Sequence, residues 1–243
     1  MQLLVVGAGE MGRWFARQSG AEAVAFADRD PAAARNAAAE MTAGNAVPLD
    51  TDETFDVVCL AVPMSAVPAA IEAHAGKATA AVVDVAGEMR DSVAALKAHA
   101  EGRESASFHP LFSSSNAPGN VPTVVVQDGP TIERLRSALE SAGNEVFETT
   151  VTEHDRAMET VQAKAHTAVL AYALVAGDVD PRFHTALSEP LSELASGLTG
   201  NTPAVYAEIQ ARFDGSESVA DAAEELAAAD DETFIELYEE AGE

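Results

Sequence analysis

The sequence predicts an α/β protein in two parts: a Rossmann-like half over residues 1–150, in which a largely parallel sheet carries helices on both faces, and an all-helical half over residues 151–243. Three observations predict it. Short β-rich runs alternate with alanine-rich helical stretches through the first half, as in βαβ units. The first run, Leu3-Leu4-Val5-Val6, passes straight into Gly7-Ala8-Gly9-Glu10-Met11-Gly12. After Thr152 the strand signal ends, and apolar residues recur at three- and four-residue spacing.

Strand one with its G-x-G-x-x-G turn is a dinucleotide-binding signature. Gly7 permits the strand-to-helix turn, Gly9 lets the backbone approach a pyrophosphate, and Gly12 lets the next helix pack on the strand. The anion then rests on unpaired N–H groups at the helix N-terminus, so Glu10 and Met11 are taken with the glycines as cofactor-binding positions. Met11, Trp14, Phe15 and Met158 also fit ordinary helical core positions. Strand two, Val24 to Ala27, ends in Asp28, about 20 residues beyond the first glycine. A carboxylate there hydrogen-bonds the ribose hydroxyls and repels a 2′-phosphate, which predicts NAD rather than NADP.

Further elements follow in order. Pro31 to Met41 is a helix with proline at its first position, and Val57 to Val62 is a strand leading to a helix over Ser65 to His74. Ala81 to Val85 is the next strand, followed by a helix at Asp91 to His99. Thr123 to Val126, Thr131 to Ala142 and Glu145 to Phe147 extend the sheet as strand, helix and strand. In the second half Thr152 caps a helix carrying Met158, Val161, Ala165, Val169 and Tyr172, and helices are expected over Pro181 to Thr199, Pro203 to Phe213 and Val219 to Glu240. The apolar faces of so small a helical unit predict a homodimer packed through it.

The chain has 14 basic and 40 acidic residues, a formal charge of −26, and its only lysines are Lys77, Lys97 and Lys164. Such a surface argues against nucleic acid or an anionic membrane as a partner. Because 47% of residues are hydrophobic, the charge decorates a folded protein rather than a disordered one. Acid excess with scarce lysine predicts adaptation to concentrated salt and a halophilic source. A single Cys59 in an apolar run excludes an intrachain disulfide. The first apolar run is consumed by strand one and Thr167 to Val175 is too short to span a bilayer, so a cytoplasmic location is expected. Metal-binding spacings are absent, and His74, His99 and His184 read as surface histidines.

Two further segments, Ser107-Phe108-His109-Pro110-Leu111-Phe112 and the run from Glu153-His154-Asp155-Arg156 to Gln162-Ala163-Lys164-Ala165-His166, complete a pattern with the glycine turn, Arg13-Trp14 and Val62-Pro63. Over residues 1–213 the chain resembles the prephenate dehydrogenase family. The resemblance implies NAD-dependent oxidative decarboxylation of prephenate to 4-hydroxyphenylpyruvate in tyrosine biosynthesis, with arogenate as the nearest variant substrate. It implies that His109 is the catalytic base and that Val62 and Pro63 pass beside the nicotinamide ribose. It also places Gln162 and His166, four apart on one helix side, at the substrate, with His154 either lining the same pocket or serving as a cap or an interdomain hydrogen bond. Three departures stand out: Gly87 and Met89 replace a family serine and lysine, and Glu193 replaces a substrate-binding arginine. Ser113, with Ser114 and Ser115, is the candidate substitute hydroxyl, and Arg90, Lys164, Arg182 and Arg212 are the candidate cations. Two other readings remain: a hydroxyacid or imine dehydrogenase using Lys164, and an NAD-binding regulatory protein that has lost turnover.

Overall fold

A computed structural model describes residues 1–242 and divides them into two compact units, split between Asp155 and Arg156. The first unit is built on one eight-stranded sheet in the order β3-β2-β1-β4-β5-β6-β7-β8. Its strands are β1 (Gln2–Val6), β2 (Ala23–Ala27), β3 (Gly44–Ala46), β4 (Phe55–Leu60), β5 (Ala78–Asp84), β6 (Glu104–Phe108), β7 (Asn120–Gln127) and β8 (Glu145–Glu148). All neighbouring pairs are parallel except β6 with β7.

Both faces of the central strands are buried, and the period of two in strand geometry sorts their side chains into two cores. Leu3, Val5, Phe26, Val57, Cys59 and Val83 join one core with α1 (Glu10–Gln18), α2 (Pro31–Ala39) and α5 (Pro130–Ser141). Leu4, Val6, Ala27, Val58, Leu60 and Val82 join the other with α3 (Val67–His74) and α4 (Arg90–His99). Each fully buried leucine or phenylalanine stabilises the unit by about 1.5–3 kcal/mol. From β1 the chain goes outward through β2 and β3, then returns to the other side of β1 as β4. The crevice at the carboxyl ends of β1 and β4 is therefore the switch point at which such sheets take ligands.

The second unit is helical: the end of α6 (Val151–Met158), a π-helical turn Glu159–Lys164, α7 (Ala165–Val175), α8 (Ser188–Thr199), α9 (Pro203–Arg212), α10 (Ser216–Ala228) and α11 (Asp231–Glu240). No helix among the described residues is long and apolar enough to cross a membrane.

Several local expectations are corrected. Strands β3 and β6 carry no run of β-branched residues and were not expected. Gly44-Asn45-Ala46 is exposed, and Ser105 and Ser107 sit among the buried residues of β6. Thr150 rather than Thr152 meets the first turn of α6, its hydroxyl accepting the Glu153 N–H at 3.2 Å. The stretch expected as one helix from Pro181 to Thr199 breaks, because Ser188 Oγ accepts the Thr185 N–H at 2.8 Å while Thr185 Oγ1 accepts the Ser188 N–H at 3.1 Å. That reciprocal pair starts a new helix. The last helix splits likewise, where Asp230 accepts the Thr233 N–H at 2.9 Å and caps α11.

Candidate functional site

The glycine turn is shaped by close backbone contacts. Gly7 has φ of +102°, and a Cβ there would stand 2.2 Å from the Ala61 carbonyl oxygen at the end of β4. A Cβ at Gly12 would stand 2.1 Å from the Gly7 carbonyl oxygen, so α1 can approach β1 only with glycine there. Gly9 is different: a Cβ would meet nothing within 4 Å, and the residue lines a cleft of about 340 Å³. Val6, Gly7, Asp28, Arg29, Val62 and Pro63 line the same cleft. Asp28 holds the turn in place, its two carboxylate oxygens accepting the Ala8 and Asp30 N–H groups at 2.8 Å each. Open space over Gly9 at the start of α1, with a carboxylate at the end of β2, fits a dinucleotide. Glu10 opens α1 and accepts the Ser114 hydroxyl at 3.5 Å, whereas Met11 packs against the core around Trp14 and Phe15.

The second part of the site lies at the reversal between β6 and β7. The His109 N–H donates to the Pro122 carbonyl at 3.0 Å, fixing the backbone just beyond β6. Its ring is buried and makes a 2.8 Å hydrogen bond from Nδ1 to His154 Nε2. His154 Nδ1 in turn lies 2.9 Å from Asp155 Oδ1. A carboxylate can only accept, so His154 Nδ1 carries the proton and its Nε2 is an acceptor. His109 Nδ1 must then be the donor, which puts the lone pair of the neutral imidazole on His109 Nε2. Burial, with His154 beside it, pushes His109 down to about 3, so the ring is neutral across the physiological range.

Asp155 is itself held by the Met89 N–H at 3.4 Å and the Arg90 guanidinium at 3.7 Å. Asp84, at the end of β5, is fully buried and accepts from the Ser92 hydroxyl, from the Ser107 hydroxyl at 2.9 Å and from the Ala86 N–H at 3.0 Å. Desolvation raises its carboxyl to about 6 against those hydrogen bonds. The cluster ties β5, β6 and α4 together beneath His109. A Cβ at Gly87 would lie 3.5 Å from His109 Nε2 and 2.8 Å from Met64 Sδ, so a side chain here would occupy the space beside the lone pair.

Ser113 pairs with Ser115, hydroxyl to hydroxyl, at 3.0 Å. Gln162 and His166 belong to the second unit, Gln162 within the π-helical turn Glu159–Lys164 and His166 in the first turn of α7. His166 packs edge-on against Tyr206, with ring centroids 4.9 Å apart. His154, expected at the pocket, as a cap or as a hydrogen bond across the boundary near residue 150, bonds directly to His109. His74, expected at the surface, is buried and lines the cleft. The sequence did carry a signal for the His154-Asp155 pair: adjacent titratable residues in the first turn of a helix. Nothing in it specified which side chain they would meet.

Comparison with known proteins places this geometry. Residues 2–88 match the family model described as NADP oxidoreductase coenzyme F420-dependent. The chain is 30% identical over 207 residues to the 4-amino-4-deoxyprephenate dehydrogenase of Streptomyces pristinaespiralis, covering 76% of this chain and 69% of the relative. Its fold is similar to that of prephenate dehydrogenase from Aquifex aeolicus, solved with hydroxyphenyl propionate and NAD+, at a TM-score of 0.73 and 15% identity over 99% of this chain and 93% of the other. Synechocystis arogenate dehydrogenase is similar at a TM-score of 0.57 and 19% identity, over 100% of this chain and 96% of the other. With a glycine turn built for a dinucleotide, a buried neutral histidine beyond β6, and a relative of this identity and coverage, the chain belongs to the prephenate dehydrogenase family and is an NAD(P)-binding oxidoreductase.

Proposed function

We propose that this chain is an NAD-dependent prephenate dehydrogenase in which His109 is the catalytic base. The observation that carries the reading is the Asp155–His154–His109 hydrogen-bond chain, which leaves the lone pair on His109 Nε2. The nicotinamide, when bound, supplies the hydride acceptor. His109 Nε2 takes the proton of the ring hydroxyl as the hydride leaves the same carbon. The bond to the ring carboxylate breaks, carbon dioxide departs, and the electron pair of that bond completes the aromatic ring. The phenolate oxygen so formed takes the proton back from His109. Meanwhile His154 and Asp155 act as positioning residues, holding the tautomer and stabilising the transient imidazolium.

Asp28 at the end of β2 supports NAD, whereas Arg29 in the same cleft and the match to an NADP-type family model favour the phosphorylated cofactor. Binding titrations with NADH and NADPH decide between them, and tighter NADPH binding would overturn the NAD reading. A second substrate reading rests on the Streptomyces relative, whose substrate carries an amine where prephenate has the hydroxyl. Reduced-nicotinamide formation is followed with prephenate, arogenate and 4-amino-4-deoxyprephenate, for wild type and His109→Asn. Prephenate turnover that the substitution abolishes supports the proposal. Turnover that survives it removes His109 from the chemistry, and cofactor binding without turnover on any of the three favours a protein that has lost catalysis. The same reading takes the molecule as a homodimer through its helical unit, supported by the exposure of 85% at Leu174 and 81% at Val175 in α7.

A further inference from the structure

The cleft lined by Gly7, Gly9, Asp28 and Arg29 is lined also by Leu49, Ala66, Ala70 and His74. Ala66, Ala70 and His74 follow one another at four-residue spacing, so α3 turns a single stripe toward the cleft, two small residues and then an imidazole. The pyrophosphate belongs at the glycine turn and the ribose at the end of β2, which leaves the lining by Leu49, Ala66, Ala70 and His74 for the adenine base.

We propose that His74 is the adenine-recognising residue, donating a hydrogen bond from its imidazole N–H to a ring nitrogen of the purine; the proposal rests on the dinucleotide reading above. Leu49, Ala66 and Ala70 offer apolar walls for the faces of a flat ring, while Asp28, Arg29 and His74 are the polar side chains of the cleft, the first two at its ribose end. His74 is 8% exposed, and its Nδ1 is sealed from solvent without a hydrogen-bond partner among the described residues.

The protonation state follows from the surroundings. Desolvation lowers the basicity of His74, and Lys77 adds to the effect, its ammonium fixed on the Leu49 carbonyl at 2.7 Å. A neutral imidazole carries one proton. With no acceptor beside Nδ1, the proton belongs on Nε2, where it is available as a donor.

The test measures Kd by nicotinamide fluorescence for NADH and for the analogues in which N1, N3 or N7 of the adenine is replaced by C–H. Wild type should bind one of the three more weakly than NADH by about three- to tenfold, the worth of one hydrogen bond. His74→Leu should bind NADH more weakly by a similar factor and treat all four compounds alike to within twofold. His74→Gln, which keeps an N–H donor, should recover part of the discrimination. Thermal melting of unliganded His74→Leu at or above the wild-type temperature confirms that the fold is intact. A wild type indifferent to all three replacements, or a leucine variant that still discriminates, would overturn the assignment while leaving the dinucleotide site standing. Absence of any NADH binding by wild type would instead overturn the cofactor reading itself.

Discussion

A single imidazole illustrates how much of this site depends on neighbours distant in sequence. His109 is an ordinary loop histidine by spacing, yet burial and His154 hold it neutral to about 3, and Asp155 dictates which nitrogen bears the proton. His109→Asn is expected to lower kcat by about 10²–10⁴-fold with the Kd for NADH unchanged, as measured by steady-state turnover and fluorescence titration. Asp155→Asn can place its amide so that it donates to His154 Nδ1, reversing the hydrogen-bond chain and moving the lone pair off His109 Nε2. Its kcat should fall by about tenfold or more, with KM for the cofactor held; a variant with wild-type kcat would exclude the tautomer argument. Linkage gives a further test. Because the folded state holds His109 below its ordinary 6.5, the native protein binds fewer protons than the unfolded chain, and this part of its stability is lost as pH falls from about 6.5 toward 3. Asp84 acts in the opposite sense: raised from 3.8 to about 6, it favours the folded state below that window and loses the benefit as pH rises through it. Urea melts of His109→Gln should therefore show a smaller loss of stability between pH 6.5 and 4 than the wild type.

At the scale of elements, the parts that were legible in the sequence are those whose local chemistry and packing agree. β1, β2, β4 and β5 announce themselves as apolar runs because both faces of a central parallel strand are buried. The glycine turn was legible for a related reason: each of its first and third glycines is required by a backbone contact closer than a Cβ allows. Gly12→Ala should accordingly destabilise the protein by about 1–3 kcal/mol, a fall of several degrees in Tm by circular dichroism. It should also weaken NADH binding by displacing the start of α1. Other elements concealed themselves. In β6, Ser105 and Ser107 break the hydrophobic pattern because Ser107 serves Asp84, a requirement set by a strand 23 residues earlier. The π-helical turn at Glu159–Lys164 was equally hidden. The Ala163 carbonyl accepts from Thr167 Oγ1 at 2.8 Å and also from Gln210 Nε2 at 3.0 Å, the second bond supplied by α9, 47 residues further on.

For the whole molecule, the net charge of −26 and the uncovered apolar surface of the helical unit are the governing features. Like charges repel over about 10 Å at 0.1 M salt but only about 3 Å at 1 M. Tm should therefore rise as potassium chloride is increased from 0.1 to 1 M, and a flat response would show that the acidic surface costs the fold little. Leu174, Val175 and Leu187 are each about four-fifths exposed. If α7 forms the proposed homodimer contact, the double substitution Leu174→Glu with Val175→Asp should convert a dimer to a monomer in light scattering while the far-ultraviolet spectrum is retained.

The amino-acid order alone determined the class of protein, the glycine turn, the carboxylate at the end of β2 and the histidine before Pro110, because each is encoded within a few consecutive residues or a short fixed spacing. Only the tertiary structure decided that His154 and Asp155 complete the relay to His109, that Asp84 anchors the strands beneath it, and that His74 turns inward to the cleft. Those assignments depend on which burial and which partner a side chain finds across the sheet. Hydrogen bonds between groups 23 or 45 residues apart leave no periodicity in the chain from which they could be read.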